Sequence, residues 1–197
     1  MTERCSDAAP GEGMITRRKF IAAGWALLVA PAALAQPCRP TPRDALGPFY
    51  KPGAPEQQEL CASGAGAAEK LVVSGRVLGT PDCAPLAGAL IEVWHADGRG
   101  AYSQVGAKQD DPDCLLRASL RTDAQGRYRF VTVMPGEYPG RPRHIHYRVS
   151  AKGYATLVTQ LYFDPERGAP RELVTRLVGK EGGLAASFDL TLAKLRQ

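Results

Sequence analysis

The stretch RTDAQGRYRFVTVMPGEYPGRPRHIHYRVS, residues 121–150, decides the fold. It holds two runs, RYRFVTV and HIHYRVS, rich in β-branched and aromatic residues and alternating at the period of a strand. The separators TDAQG and PGEYPGRP carry the Gly, Pro and Asp of turns. Successive side chains of a strand point to opposite faces, so His144 and His146 share a face while Ile145 points away. The chain holds only three histidines. Two on one face make either a polar cross-strand surface or a pair of ligands.

The same texture extends in both directions. LVVSGRVLG, ALIEVWHA, TLVTQLYF and SFDLTLAKL are short apolar runs, and TPDCAPLAG, AKGY and DPERGAP lie between them as turns. This predicts an all-β chain, an antiparallel β-sandwich over 71–197 with little helix. One short helix is expected in GAPRELVTRLVGKE. Residues 36–70, rich in Pro, Gly and Ala, predict an irregular N-terminal arm.

Residues 1–35 have the grammar of an export signal. Arg17 and Arg18 precede an apolar run from Phe20 to Leu34, and the small-residue site ends at Ala35. The paired arginines predict the twin-arginine route, and with it a bacterial periplasmic or secreted protein. After cleavage no stable membrane span is expected. The segment carries four basic and three acidic residues, so the net charge of +5 becomes +4 in the mature chain. No Lys/Arg run suggests a nucleic-acid partner. Cys38, Cys61, Cys83 and Cys114 remain, which in an oxidising compartment predicts two disulfides with three connectivities open. No C-x-x-C spacing supports a zinc ribbon.

Two tyrosines give the histidine pair a chemical context. Tyr138 stands six residues before His144, and Tyr102 lies in the loop WHADGRGAYS. Taken singly, each reads as a core or rim tyrosine. Together with two imidazoles they suit ferric iron, a hard Lewis acid that favours phenolate oxygen and lowers the phenol pKa.

At this point the chain resembles the intradiol ring-cleavage dioxygenases, particularly the protocatechuate 3,4-dioxygenase type. The resemblance runs through TPRDALGPFYKPGAP, GRVLGTPDCAPLAGALIEVWHADGRGAYS, LRASLRTDAQGRYRFVTVMPGEYPGRPRHIHYRVS and GYATLVTQLYF. It implies a non-haem Fe(III) held by Tyr102, Tyr138, His144 and His146, with Tyr138 the ligand displaced by substrate. Arg141 matches the arginine that lies against the bound catechol, and Gln160 a glutamine lining the same pocket. The implied partners are a small aromatic diol and O2, with a homo-oligomer also admitted. The implied reaction cleaves a protocatechuate, catechol or hydroxyquinol ring to a cis,cis-muconate-type product. Tyr138 would take a substrate proton, and Arg141 would stabilise charge developing on the ring.

The chain departs from the pattern in places. The hinge YPGRPRHIH is shorter than in larger protocatechuate enzymes, and the N-terminal helical segment used by catechol 1,2-dioxygenases to dimerise is not evident. Arg143 and Lys108 could meet a ring carboxylate or simply be solvated. Two other readings exist. His95-x-Asp97 plus a later histidine resembles the two-His-one-carboxylate site of Fe(II), 2-oxoglutarate-dependent oxygenases. VSGRVLGTPDCAPLAGALIEVW resembles transthyretin-like and carboxypeptidase regulatory-like modules, which would make the chain a non-catalytic binding sandwich.

Overall fold

The computed structural model describes residues 38–61, 68–102, 114–137, 140–163 and 169–196. Residues 1–35, expected to be an export signal, and Lys108 and Tyr138 lie outside the described residues.

Two mixed β-sheets form a sandwich. The first contains β1 (Lys70–Gly79), β2 (Ala84–Pro85), β5 (Arg127–Val133), β9 (Val178–Lys180), β10 (Gly183–Ser187) and β11 (Leu190–Leu192). The second has the order β4-β3-β6-β7-β8, with β3 at Leu90–Trp94, β4 at Arg117–Arg121, β6 at His144–Ser150, β7 at Leu157–Phe163 and β8 at Val174–Thr175. The sheets are not purely antiparallel as the sequence suggested: β10 and β11 both run parallel to β1, and β8 runs parallel to β7. β10 and β11 succeed one another along the same edge of β1, and Gly75 makes the passage between them. A Cβ there would lie 1.9 Å from the Phe188 carbonyl oxygen, so only glycine permits the approach. The expected helix is one 3-10 turn, Arg171–Leu173, from which the chain passes directly into β8.

Alternation sorts each strand of the second sheet into two faces. Ile91, Val93, Ile145, Tyr147, Val149 and Leu161 are essentially fully buried and pack with Leu71, Val73, Phe130 and Leu190 of the first sheet. That shared core is the main stabilising element, at roughly 1.5–3 kcal/mol per fully buried large apolar side chain. The opposite face carries Trp94, His146 and Gln160 in one cross-strand row, because Trp94 pairs with His146 and His146 with Gln160. His144 and Tyr162 form the adjacent row, and Glu92 and Arg148 another.

A sheet face with no second sheet over it would ordinarily meet water. Here the irregular arm covers it. Gln160 Nε2 donates to the Ala45 carbonyl, Tyr50 lies against Trp94, and Ser119 Oγ donates to the Ala54 carbonyl. The arm therefore crosses the face from β7 to β4. It then pairs with both edge strands: Ser119 of β4 bonds Pro55 and Gln57, and Val131 of β5 bonds Gln58 and Leu60. These bonds satisfy edge groups that would otherwise be open to pairing with another chain. Disulfides pin both ends of the arm, Cys38 to Cys83 and Cys61 to Cys114.

Candidate functional site

The two histidines stand beneath this arm, 3% and 2% exposed for His144 and His146. His144 Nδ1 lies 2.6 Å from the Pro142 carbonyl oxygen, which can only accept, so Nδ1 carries the hydrogen and Nε2 presents its lone pair. That Nε2 lies 3.1 Å from Nε2 of His146 and 3.4 Å from the Tyr102 hydroxyl. His146 is closely packed. Trp94 stacks on it with planes 1° apart and centroids at 4.9 Å, and Gly47 approaches so closely that a Cβ would lie 3.0 Å from Cε1. Phe49 stacks on Tyr102 at 4.0 Å.

Burial lowers the affinity of both imidazoles for protons. For His144, burial acts first and neighbouring Arg141 adds to it, while the Pro142 carbonyl opposes them. For His146, burial, then His144, then Arg141, push the pKa down to about 3, with the Ala45 carbonyl opposing. The rings are therefore neutral near pH 7, the form that binds metals without first shedding a proton.

The donor set fits a cation. Two nitrogens at right angles around a centre about 2.1 Å away lie roughly 3.0 Å apart, close to the separation of the two Nε2 atoms. Phenol oxygen beside them adds a hard donor. Among the described residues no group of three or more His, Cys, Asp or Glu is arranged to hold a metal, and the oxygen that lies beside the two imidazoles is the Tyr102 hydroxyl.

Arg141 and Gln160, both expected at the site, are in direct contact. Arg141 Nη2 donates to Gln160 Oε1 at 2.5 Å and to the Tyr162 hydroxyl oxygen at 3.1 Å. Its Nε is buried without a partner among the described residues. The turn that leads to Tyr138 packs on the loop that leads to Tyr102: Gly136 N donates to the Asp97 carbonyl, and a Cβ at Gly136 would lie 2.5 Å from both Gly98 O and Gly100 N.

Comparison with known proteins decides the family. A family model described as Dioxygenase matches residues 45–189. The chain belongs to the intradiol dioxygenase family. Catechol 1,2-dioxygenase 2 of Acinetobacter lwoffii is 40% identical over 144 residues, covering 63% of this chain and 51% of that protein. The protocatechuate 3,4-dioxygenase beta chain of Burkholderia cepacia is 36% identical over 152 residues, covering 63% of this chain and 64% of that one. Among solved structures, the dioxygenase domain of a dioxygenase carbohydrate-binding protein fusion from Streptomyces sp. SirexAA-E superposes with a TM-score of 0.70 at 35% identity. That match covers 80% of this chain and 100% of the domain. The chain spans about half the length of the curated catechol and hydroxyquinol dioxygenases it matches.

Within this family frame, His95 is not available as a ligand. It is fully enclosed, neither surface nor pocket rim, with Nδ1 2.7 Å from the Ala96 carbonyl oxygen and Nε2 2.7 Å from Thr132 Oγ1. Asp97 is likewise engaged, its Oδ1 accepting the backbone N–H groups of Arg99 and Ala101. The two-His-one-carboxylate reading therefore lacks two of its three ligands.

Sequence reasoning singled out none of Asp44, Gly47, Phe49, Tyr50, Trp94 and Tyr162. Tyr162 was within reach, because it shares a face with Gln160 by the same two-residue period that joins the histidines. The arm residues had no such signal, since their contacts join segments far apart in the chain, from 42 positions between Tyr50 and Glu92 to 118 between Asp44 and Tyr162.

Proposed function

We propose that this chain is a non-haem Fe(III) intradiol dioxygenase that opens a catechol-type ring with O2 to a cis,cis-muconate-type product. The observation that carries the reading is the convergence of His144 Nε2, His146 Nε2 and the Tyr102 hydroxyl under the arm. Family membership adds the expectation of non-haem iron. His144, His146, Tyr102 and Tyr138 would hold it. When bound, ferric iron supplies a Lewis-acid centre that takes up the catechol as its dianion and makes the ring reactive toward O2.

The chain's own residues do the rest. Tyr138 accepts a proton from the incoming diol. The Arg141 guanidinium, fixed by Gln160 and Tyr162, provides a positive charge for the negative charge that develops on the ring. Gly47, Phe49 and Tyr50 exclude water from the inner side of the site, which strengthens each of these electrostatic effects. The preferred substrate belongs to the class spanned by catechol, hydroxyquinol and protocatechuate. The twin-arginine signal would deliver the folded protein to the periplasm, and replacing Arg17 and Arg18 by lysine should strand it in the cytoplasm.

The test is stoichiometry. Iron-loaded protein supplied in turn with the three diols should consume one O2 per ring and place both oxygen atoms of labelled O2 in the two carboxylates newly formed from the diol carbons. Absence of uptake with all three, or a semialdehyde product, would contradict the reading.

A further inference from the structure

Arg141 makes a single bridge between Gly140, at φ +79°, and Pro142 and lies outside the strand that starts at His144, so no continuous ladder aims its side chain. Aim must come from what its guanidinium touches. Its two acceptors, Gln160 Oε1 and the Tyr162 hydroxyl oxygen, are each anchored by the arm. Gln160 Nε2 donates to the Ala45 carbonyl at 2.7 Å, and the Tyr162 hydroxyl lies 2.8 Å from Asp44 Oδ2. Asp44 is itself fixed. Its Oδ1 accepts the Ala45 N–H, and its own N–H donates to the Val158 carbonyl.

The single hydroxyl hydrogen of Tyr162 is the point of decision. Gln160 Oε1 lies within its reach at 2.9 Å, as does Asp44 Oδ2. If the hydrogen turns to Gln160, it competes with Arg141 for the same oxygen. An ionised carboxylate is the stronger acceptor, so with Asp44 present the hydrogen points to the arm. Gln160 Oε1 and the phenol oxygen are then both left to accept from Arg141. The carboxylate also supplies negative charge beyond the phenol to a half-buried guanidinium.

We propose that Asp44 is a positioning residue for Arg141, acting through the Tyr162 hydroxyl to hold the guanidinium toward the substrate side of the site. The proposal rests on the assignment of Arg141 to the substrate wall, and it adds a residue from the arm to the reaction machinery. It also explains why an arm without regular structure must cross this face: two consecutive residues, Asp44 and Ala45, fix the two acceptors of one arginine.

The test uses D44A, Y162F and the D44A/Y162F double variant. In metal-free mature protein, nitrogen NMR should show the wild-type Arg141 guanidinium as a dispersed, slowly exchanging signal. D44A and Y162F should each move it toward the position of a free arginine, and the double variant should match Y162F alone. In iron-loaded protein turning over catechol, D44A and Y162F should each lower kcat about tenfold with KM changed less than twofold. An Arg141 signal unmoved in D44A would overturn the proposal. So would a D44A effect as large in the Y162F background as in the wild type, or an unchanged kcat in an active protein. Because the NMR readout needs neither iron nor turnover, it decides the positioning role even if the wild type opens no catechol ring.

Discussion

At the residue scale the site depends on one missing methyl group. Gly47 adopts φ +74°, and a Cβ there would press on the His146 ring at 3.0 Å. Gly53 has the same φ with nothing within 4 Å of its Cβ position, so it separates the two penalties. G47A and G53A should each lose about 1 kcal/mol of stability from the left-handed backbone. Only G47A should also lose bound iron, because only there must an imidazole move. Thermal melting and metal analysis of the two variants side by side check this, and equal iron retention would count against this packing. The same logic applies to Trp94, which lies parallel to the His146 ring and prevents it from tilting.

At the scale of elements, the arm is the least regular part of the fold and the part on which the site most depends. The sandwich core is held by two sheets, whereas the arm is held by scattered hydrogen bonds and two disulfides that close loops of 45 and 53 residues in sequence separation. In the chain-entropy view each disulfide contributes at most about 4 kcal/mol. Reduction should therefore release the arm before it melts the sheets. Trp94 reports on this directly, since the only other tryptophan, Trp25, lies within residues 1–35, the segment expected to be removed as a signal. Adding dithiothreitol to mature protein should red-shift Trp94 emission while the β-sheet circular dichroism persists. No shift would show that the arm does not depend on the disulfides, and simultaneous loss of both signals would show that the sheets depend on them as much as the arm does. The sequence announced the strands through their period and turns. It was silent on the arm's path, on which cysteines pair, and on the parallel placement of β10 and β11 along β1. Those features are set by contacts between distant segments, for which a local pattern carries no signal.

At the scale of the whole molecule, the two sheets are joined across the sandwich by a buried polar bridge. His95, just past β3 of the second sheet, meets Thr132 on β5 of the first. Burial, acting against the Ala96 carbonyl and reinforced by His144, brings the His95 pKa from its ordinary 6.5 down to about 4. The folded state thus disfavours the imidazolium. The stability linked to His95 is complete above about pH 6.5, the unfolded value, and is lost as the pH falls toward 4, by at most about 3 kcal/mol. Denaturant unfolding of metal-free protein at pH 7 and pH 4.5 should show a smaller loss in H95N than in wild type. Identical losses would place the acid sensitivity elsewhere. This histidine also marks a boundary of sequence reasoning. His144 and His146 were readable as a pair because a strand aligns them, and Arg141 and Gln160 followed from their resemblance to family positions. His95 looked like a candidate ligand by spacing alone, and only the packing of the two sheets shows both of its nitrogens already occupied.

The central claim is that two imidazoles and tyrosine phenolate hold ferric iron beneath the arm, and a visible absorption spectrum tests it most directly. Iron-loaded mature protein should be red-brown from tyrosinate-to-iron charge transfer, and the band should shift when catechol is added without oxygen. Y102F should weaken the band while leaving the fold intact. A fully iron-loaded protein without colour, or a band indifferent to both catechol and Y102F, would contradict the site.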